Sequence, residues 1–276
     1  MNMNETIFSR AQACIATCNV DDKVAWTQAT ALTWREGNLS FEADEPPLPI
    51  GEPGRPALPK LVHPRDVPRR RTTTPEGRAI LIHAIAHIEF NAINLAWDAV
   101  YRFRGQPRDY YSDWVRVADE ESQHFALLRE RLREYGGDYG DYDAHHALWE
   151  MAQKTADDVL VRMALVPRVL EARGLDVTPG ILEKLRVAGD ARSVEILEII
   201  LREEIGHVAI GTRWFHYVCA ERGLDPDDTF ESLMRHYVTA MNGRIQGPFH
   251  EQARAQAGFS DREMAGLRAL DRKSGE

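Results

Sequence analysis

Nine of the chain's 14 prolines fall between Pro46 and Pro75. Proline fixes φ and lacks a backbone donor, so this stretch forms neither helix nor central strand. It reads as an extended arm along a folded body or as a flexible linker. Leu48, Ile50, Leu58, Leu61 and Val62 offer it apolar residues to dock, which favours the arm. Before it, residues 5–36 carry Ile7, Ala11, Ile15, Val24, Ala25, Ala29 and Leu32 at helical spacing.

After the prolines the pattern is helical throughout. Thr74-Pro75-Glu76 is a helix start: a capping residue, a proline at the first helical position, then an acid. The first helix runs to about Phe103. A second runs from about Ser112 to Tyr135 and a third from Asp143 to Gly174. Thr178-Pro179 starts a short segment, a fourth long helix covers about Asp190–Arg222, and Asp225-Pro226 opens a fifth. No run alternates as a strand would. The expectation is an all-α chain built on a four-helix bundle. Its parts are an N-terminal helical segment (1–45), the proline-rich arm (46–75), the bundle (76–245) and a C-terminal helical tail (246–276).

Charge and cysteine content narrow the setting. Thirty-four Lys and Arg face 43 Asp and Glu, a net charge of −9, a poor balance for wrapping duplex nucleic acid. Three cysteines are too few for a disulfide scaffold. Gln12, Thr17 and Asn19 interrupt the one apolar run near the start, and no 18 apolar residues follow one another. The expected setting is cytoplasmic, with no membrane partner.

The inward stripes of the long helices carry the chemistry. They read Ile82, Ile85, Glu89, Ile93 in the first; Trp114, Val117, Glu121, His124 in the second; Leu160, Met163, Pro167, Glu171 in the third; and Leu197, Ile200, Glu204, His207, Gly211 in the fourth. A buried, uncompensated carboxylate costs several kcal/mol, so each glutamate needs a partner. Residues three apart share a helix face, so Glu121/His124 and Glu204/His207 each aim an oxygen and a nitrogen at one point. The arrangement repeats: 32 positions separate Glu89 from Glu121 and 33 separate Glu171 from Glu204. Four carboxylates and two imidazoles suit two first-row metal ions, iron or manganese. The competing reading is a buried salt-bridge network with Arg129, Arg168 or Arg202 as counter-charge.

The stretches RAILIHAIAHIEFNAINLAWD, EESQHF, LVPRVLEARGLDVTP and LREEIGHVAIG resemble a ferritin-like di-iron carboxylate family, a domain of unknown function distantly similar to the di-iron tRNA hydroxylases. The resemblance spans roughly residues 45–245. It implies a ferritin-like bundle, with Glu89 and Glu171 as terminal ligands and Glu121 and Glu204 as bridging ones. His124 and His207 would give one nitrogen to each of two iron ions, with manganese or a mixed iron–manganese pair as the alternative. By fold-level analogy it implies O₂ activation by a hydroxylase or monooxygenase on a small or nucleoside-like substrate. No glycine-rich nucleotide motif is present, so any reducing power needed would come from an electron-donor protein or from the substrate. Iron storage and tRNA hydroxylation are the alternatives. For the latter, Arg69, Arg70 and Arg71 form the one basic cluster, and a monomer or dimer rather than a shell would favour an enzyme.

Three smaller features complete the reading. His83 and His87, four apart, are outer-shell or surface residues rather than a zinc pair. Cys14 and Cys18 are buried thiols. Pro167, inside the third helix, leaves the carbonyl of Met163 without its helical donor and marks a kink, a π-bulge or a simple bend.

Overall fold

A computed structural model describes residues 5–42, 45–68, 71–241 and 243–273. Every regular element among the described residues is helical, and the β pairing there is two isolated bridges, Thr6–Ser40 and Leu61–Ala144. Arg69 and Arg70 lie outside the described residues; Arg71 is exposed. The chain forms two compact units, Met1–Gln153 and Lys154–Glu276.

In the first unit, α3 (Pro75–Arg102) and α4 (Arg108–Glu134) form the main pair, with α1 (Ile7–Ala16) against α3 and α2 (Val20–Arg35) against α4. Thr74 caps α3 by accepting the Gly77 N–H at 3.1 Å, with Pro75 next in line. Phe90, Trp97, Trp114 and Phe125 fill the interior between the helices. By length and composition α3 is apolar enough to cross a membrane, yet 78% of its most apolar window is buried inside the protein, as in a core helix.

The proline segment is an extended arm, and of the apolar residues expected to dock it Ile50, Leu61 and Val62 are half-buried. Leu48 and Leu58 are exposed, at 68% and 58%, whereas Pro53 and Pro59 are buried. The arm is held through its backbone: Gly54 N–H donates to Ile15 O at 2.8 Å, Val62 N–H to Ala144 O at 2.8 Å, and Trp149 Nε1 to Gly51 O at 2.7 Å. A Cβ on Gly54 would stand 2.2 Å from Ala16 O, so only glycine permits that approach. Lys23, fully buried, donates to Cys14 O (2.7 Å), Ile15 O (3.0 Å) and Asn94 Oδ1 (2.7 Å), so the arm and this ammonium together satisfy the open carbonyls at the end of α1. Cys14 is buried as expected, but Cys18 is exposed.

The second unit contains α6 (Val159–Leu165), a π-helical turn (Val166–Glu171), α7 (Ala172–Val187), α8 (Ala191–Glu221), α9 (Pro226–Ala240), α10 (Glu251–Gln256) and α11 (Asp261–Lys273); α5 (Ala147–Lys154) runs across the boundary. The expected single helix from 143 to 174 is instead broken. Asp158 starts α6 by accepting the Leu160 N–H at 2.8 Å and is itself gripped by Arg222 at 2.8 and 2.9 Å. Nor do Gly174 and Thr178-Pro179 end one helix and start another, for all three lie within α7.

The π turn begins around Pro167, where the missing amide made a distortion one of the expected outcomes. Its proline ring rests on Gly211 of α8: a Cβ there would lie 2.3 Å from Pro167 Cγ. Gly211→Ala should therefore lower stability by roughly 1–3 kcal/mol through overpacking, read as a lower urea midpoint at unchanged slope. A wild-type midpoint would show that the turn has room to move.

Candidate metal centre

Glu89 projects from the middle of α3, and Glu121 and His124 from the middle of α4, all into the apolar interior. Their exposures are 4%, 0% and 0%. His124 Nδ1 lies 3.3 Å from Glu89 Oε2 and 3.4 Å from Glu121 Oε2. Two donors each about 2.1 Å from a shared ion stand roughly 3.0–3.4 Å apart, so the spacing is that of ligands around one metal. The ligand atoms of this trio all lie within 4.8 Å of one another. A buried Glu/His group of this kind could hold a metal ion.

Burial alone would lower the basicity of the His124 imidazole. Hydrogen bonding and charge from Glu121 and Glu89 overcome it and push the pKa up to about 11. In the metal-free protein a proton therefore holds the place between the carboxylates. A metal entering at Nδ1 must displace it, so affinity should rise about tenfold per pH unit above neutrality, with about one proton released. Calorimetry in two buffers of different ionisation enthalpy measures that release. No buffer dependence would mean that His124 carries no displaceable proton in the metal-free protein.

The second unit carries the matching pair on α8. His207, fully buried, has Nδ1 3.5 Å from Glu204 Oε1, nearly the 3.4 Å of the His124–Glu121 pair. Glu171 is the last residue of the π turn and is half-buried. The counter-charges proposed for a salt-bridge network have other partners. Arg129 pairs with Asp138 (2.6 Å) and Asp21 (2.6 Å), Arg168 with Glu263 (2.7 Å), and Arg202 with Glu203 (3.3 Å).

A family model described as "Protein of unknown function (DUF455)" matches residues 16–265. The chain belongs to the DUF455 family. A relative from Haemophilus influenzae (strain ATCC 51907 / DSM 11121 / KW20 / Rd), described as "Uncharacterized protein", is 51% identical over 216 residues, covering 76% of this chain and 74% of its own. No solved structure matches. The DUF455 match reaches well beyond the 45–245 expected from the motifs, taking in the end of α1, the arm and the start of α11.

His83 and His87 are not surface residues of this DUF455 protein. They are 1% and 6% exposed and clamp the loop after α4. His83 Nε2 accepts the Gly140 N–H at 2.9 Å. His87 contacts Tyr139 Oη (2.8 Å) through Nδ1 and His145 O (3.0 Å) through Nε2. The carbonyl can only accept, so Nε2 carries the proton and Nδ1 takes the tyrosine hydroxyl. Burial lowers both pKa values to about 4. The GGDYGDYD loop gave the only sequence clue, its Tyr139 being the aromatic against which both imidazoles stack, at 5.4 and 6.1 Å.

Proposed function

We propose that this chain is a ferritin-like dimetal carboxylate protein that activates O₂ to oxidise a small or nucleoside-like substrate, as a hydroxylase or monooxygenase. The observation that carries the reading is the buried convergence of Glu89, Glu121 and His124. Two carboxylates and one imidazole in an apolar interior are costly without a cation and suited to iron or manganese. The sequence repeat supports two ions rather than one: Glu171 and the Glu204-x-x-His207 pair supply a second, equivalent set, and the 3.5 Å contact between Glu204 and His207 gives that pair its local ligand geometry. On this reading Glu89, Glu121, His124, Glu171, Glu204 and His207 would be the residues that hold the metal.

A reduced metal pair held by these residues would supply electrons for the reduction of O₂. The chain's own contribution is to hold Glu89, Glu121, His124 and His207 in an apolar interior that excludes water, with Glu171 and Glu204 half-buried. It also keeps each imidazole oriented against the glutamate one turn before it. Reducing equivalents would come from a separate donor protein.

Metal analysis of protein purified without chelators tests the reading, followed by single-turnover O₂ consumption by the reduced, iron-loaded protein. About two iron or manganese ions per chain and stoichiometric O₂ uptake are expected. Absence of both metals would sink it, and metal without O₂ uptake would leave a metal-storage role in its place.

A further inference from the structure

Glu171 stands between two buried ion pairs, and the C-terminal segment completes both. Three residues before it, in the π turn, Arg168 is fully buried and donates through Nη2 to Glu263 Oε2 of α11 at 2.7 Å. Both side chains are 0% exposed. The guanidinium is enclosed by the rings of Phe215, Phe230 and Phe259, with centroids 4.7, 4.2 and 4.6 Å away. Five residues after Glu171, Asp176 of α7 is gripped by Arg254 of α10 at 2.7 and 2.9 Å.

Glu263 is also fixed from its own side. Ser260 N–H donates to Glu263 Oε2 at 3.0 Å and Glu263 N–H to Ser260 Oγ at 3.0 Å, the reciprocal cap that starts α11. The carboxylate is therefore oriented by its own helix before it meets Arg168. A π turn has a widened backbone ladder and less intrinsic rigidity than α-helix, so the direction of a side chain at its end depends on what grips the turn. Here the grip comes from a segment the sequence places outside the bundle.

We propose that Arg168, locked by Glu263, is the positioning residue for Glu171: the C-terminal segment aims this carboxylate as a metal ligand. The inference rests on the reading of Glu171 as a ligand. Glu263 and Arg168 would touch neither metal nor substrate, and their effect passes through the π turn. The arrangement gives a reason for two charged side chains inside an apolar cage. Replacing such a pair by apolar residues is often neutral for stability, while removing one partner is not.

The test titrates full-length metal-free protein with Co(II), following affinity and the visible d–d spectrum, in wild type, Glu171→Ala and the paired Arg168→Met/Glu263→Met variant. The paired variant removes both charges together so that folding survives, which circular dichroism checks. Weakening of one Co(II) ion by at least about tenfold is expected in it, with an altered spectrum, the same ion lost in Glu171→Ala, and no further loss when the changes are combined. Glu263→Asp, which keeps the pair but shortens it, should fall between wild type and the paired variant. Wild-type affinity and spectrum in the paired variant, where Glu171→Ala has lost an ion, would overturn the positioning role alone. Unchanged binding in Glu171→Ala would overturn the ligand assignment and the inference with it.

Discussion

Replacing Glu121 and Glu204 by alanine together should abolish tight metal binding while leaving the helix content close to wild type. On the proposed assignment Glu121 and Glu204 are direct ligands, so their loss removes two of the six donors that would hold the metal. Outer-shell changes already weaken metal sites by 10–100-fold, and loss of two direct ligands should exceed about 100-fold. Folding should survive because the substitutions remove buried charge. Glu121 is 0% exposed, and alanine has the highest helix propensity. The change would leave His124 beside Glu89 alone, lowering its basicity toward the ordinary range. Equilibrium dialysis with Fe(II) or Mn(II), beside far-ultraviolet circular dichroism, reads both parts. Two ions retained at wild-type affinity would show that other carboxylates form the centre.

That the trio in the first unit was legible from sequence has a physical reason. An apolar stripe with period 3.6 fixes which residues face inward, so a glutamate within it is marked as buried without any tertiary information. The same periodicity predicted helices at 75–103, 112–135 and 190–222, against Pro75–Arg102, Arg108–Glu134 and Ala191–Glu221 in the structure. It failed over 143–187, where the competing signals were local. Asp158 and Pro167 interrupt helix, whereas Gly174 and Pro179 look as if they should and do not. Nothing within 4 Å faces a Cβ at Gly174, so that glycine reflects no steric need that the pattern could have revealed. The arm was legible as extended, because proline chemistry is intrinsic. Its mode of docking was not, because it uses Gly51, Gly54 and Val62 main-chain groups, which carry no sequence signature. Long-range pairs such as Arg168–Glu263, 95 positions apart, leave no trace in one sequence.

Acid should destabilise the first unit well above the range in which carboxylates titrate. His83 and His87 have folded-state pKa values lowered to about 4 by burial, against 6.5 for the free side chain. A depressed folded-state value means that the unfolded chain binds more protons between those limits. The contribution of these two histidines to stability is therefore full above pH 6.5 and is lost as the pH falls toward 4. Each histidine accounts for about 3 kcal/mol over that span, a large fraction of the 5–15 kcal/mol typical of a folded domain. The structure supplies the reason the charged form is resisted. Protonating His83 at Nε2 would set an N–H against the Gly140 N–H that it now accepts, and protonating His87 at Nδ1 would displace the Tyr139 hydroxyl proton. His124 does not offset this loss, because its raised pKa leaves it protonated in both states below pH 6.5. Urea melts of the metal-free protein at pH 7 and pH 4.5 measure the effect. His83→Gln and His87→Gln, which retain an acceptor, should each remove about half of the pH dependence. Equal midpoints at the two pH values would mean that the imidazoles gain a proton without leaving their sites, and that the loop they clamp is not what acid releases.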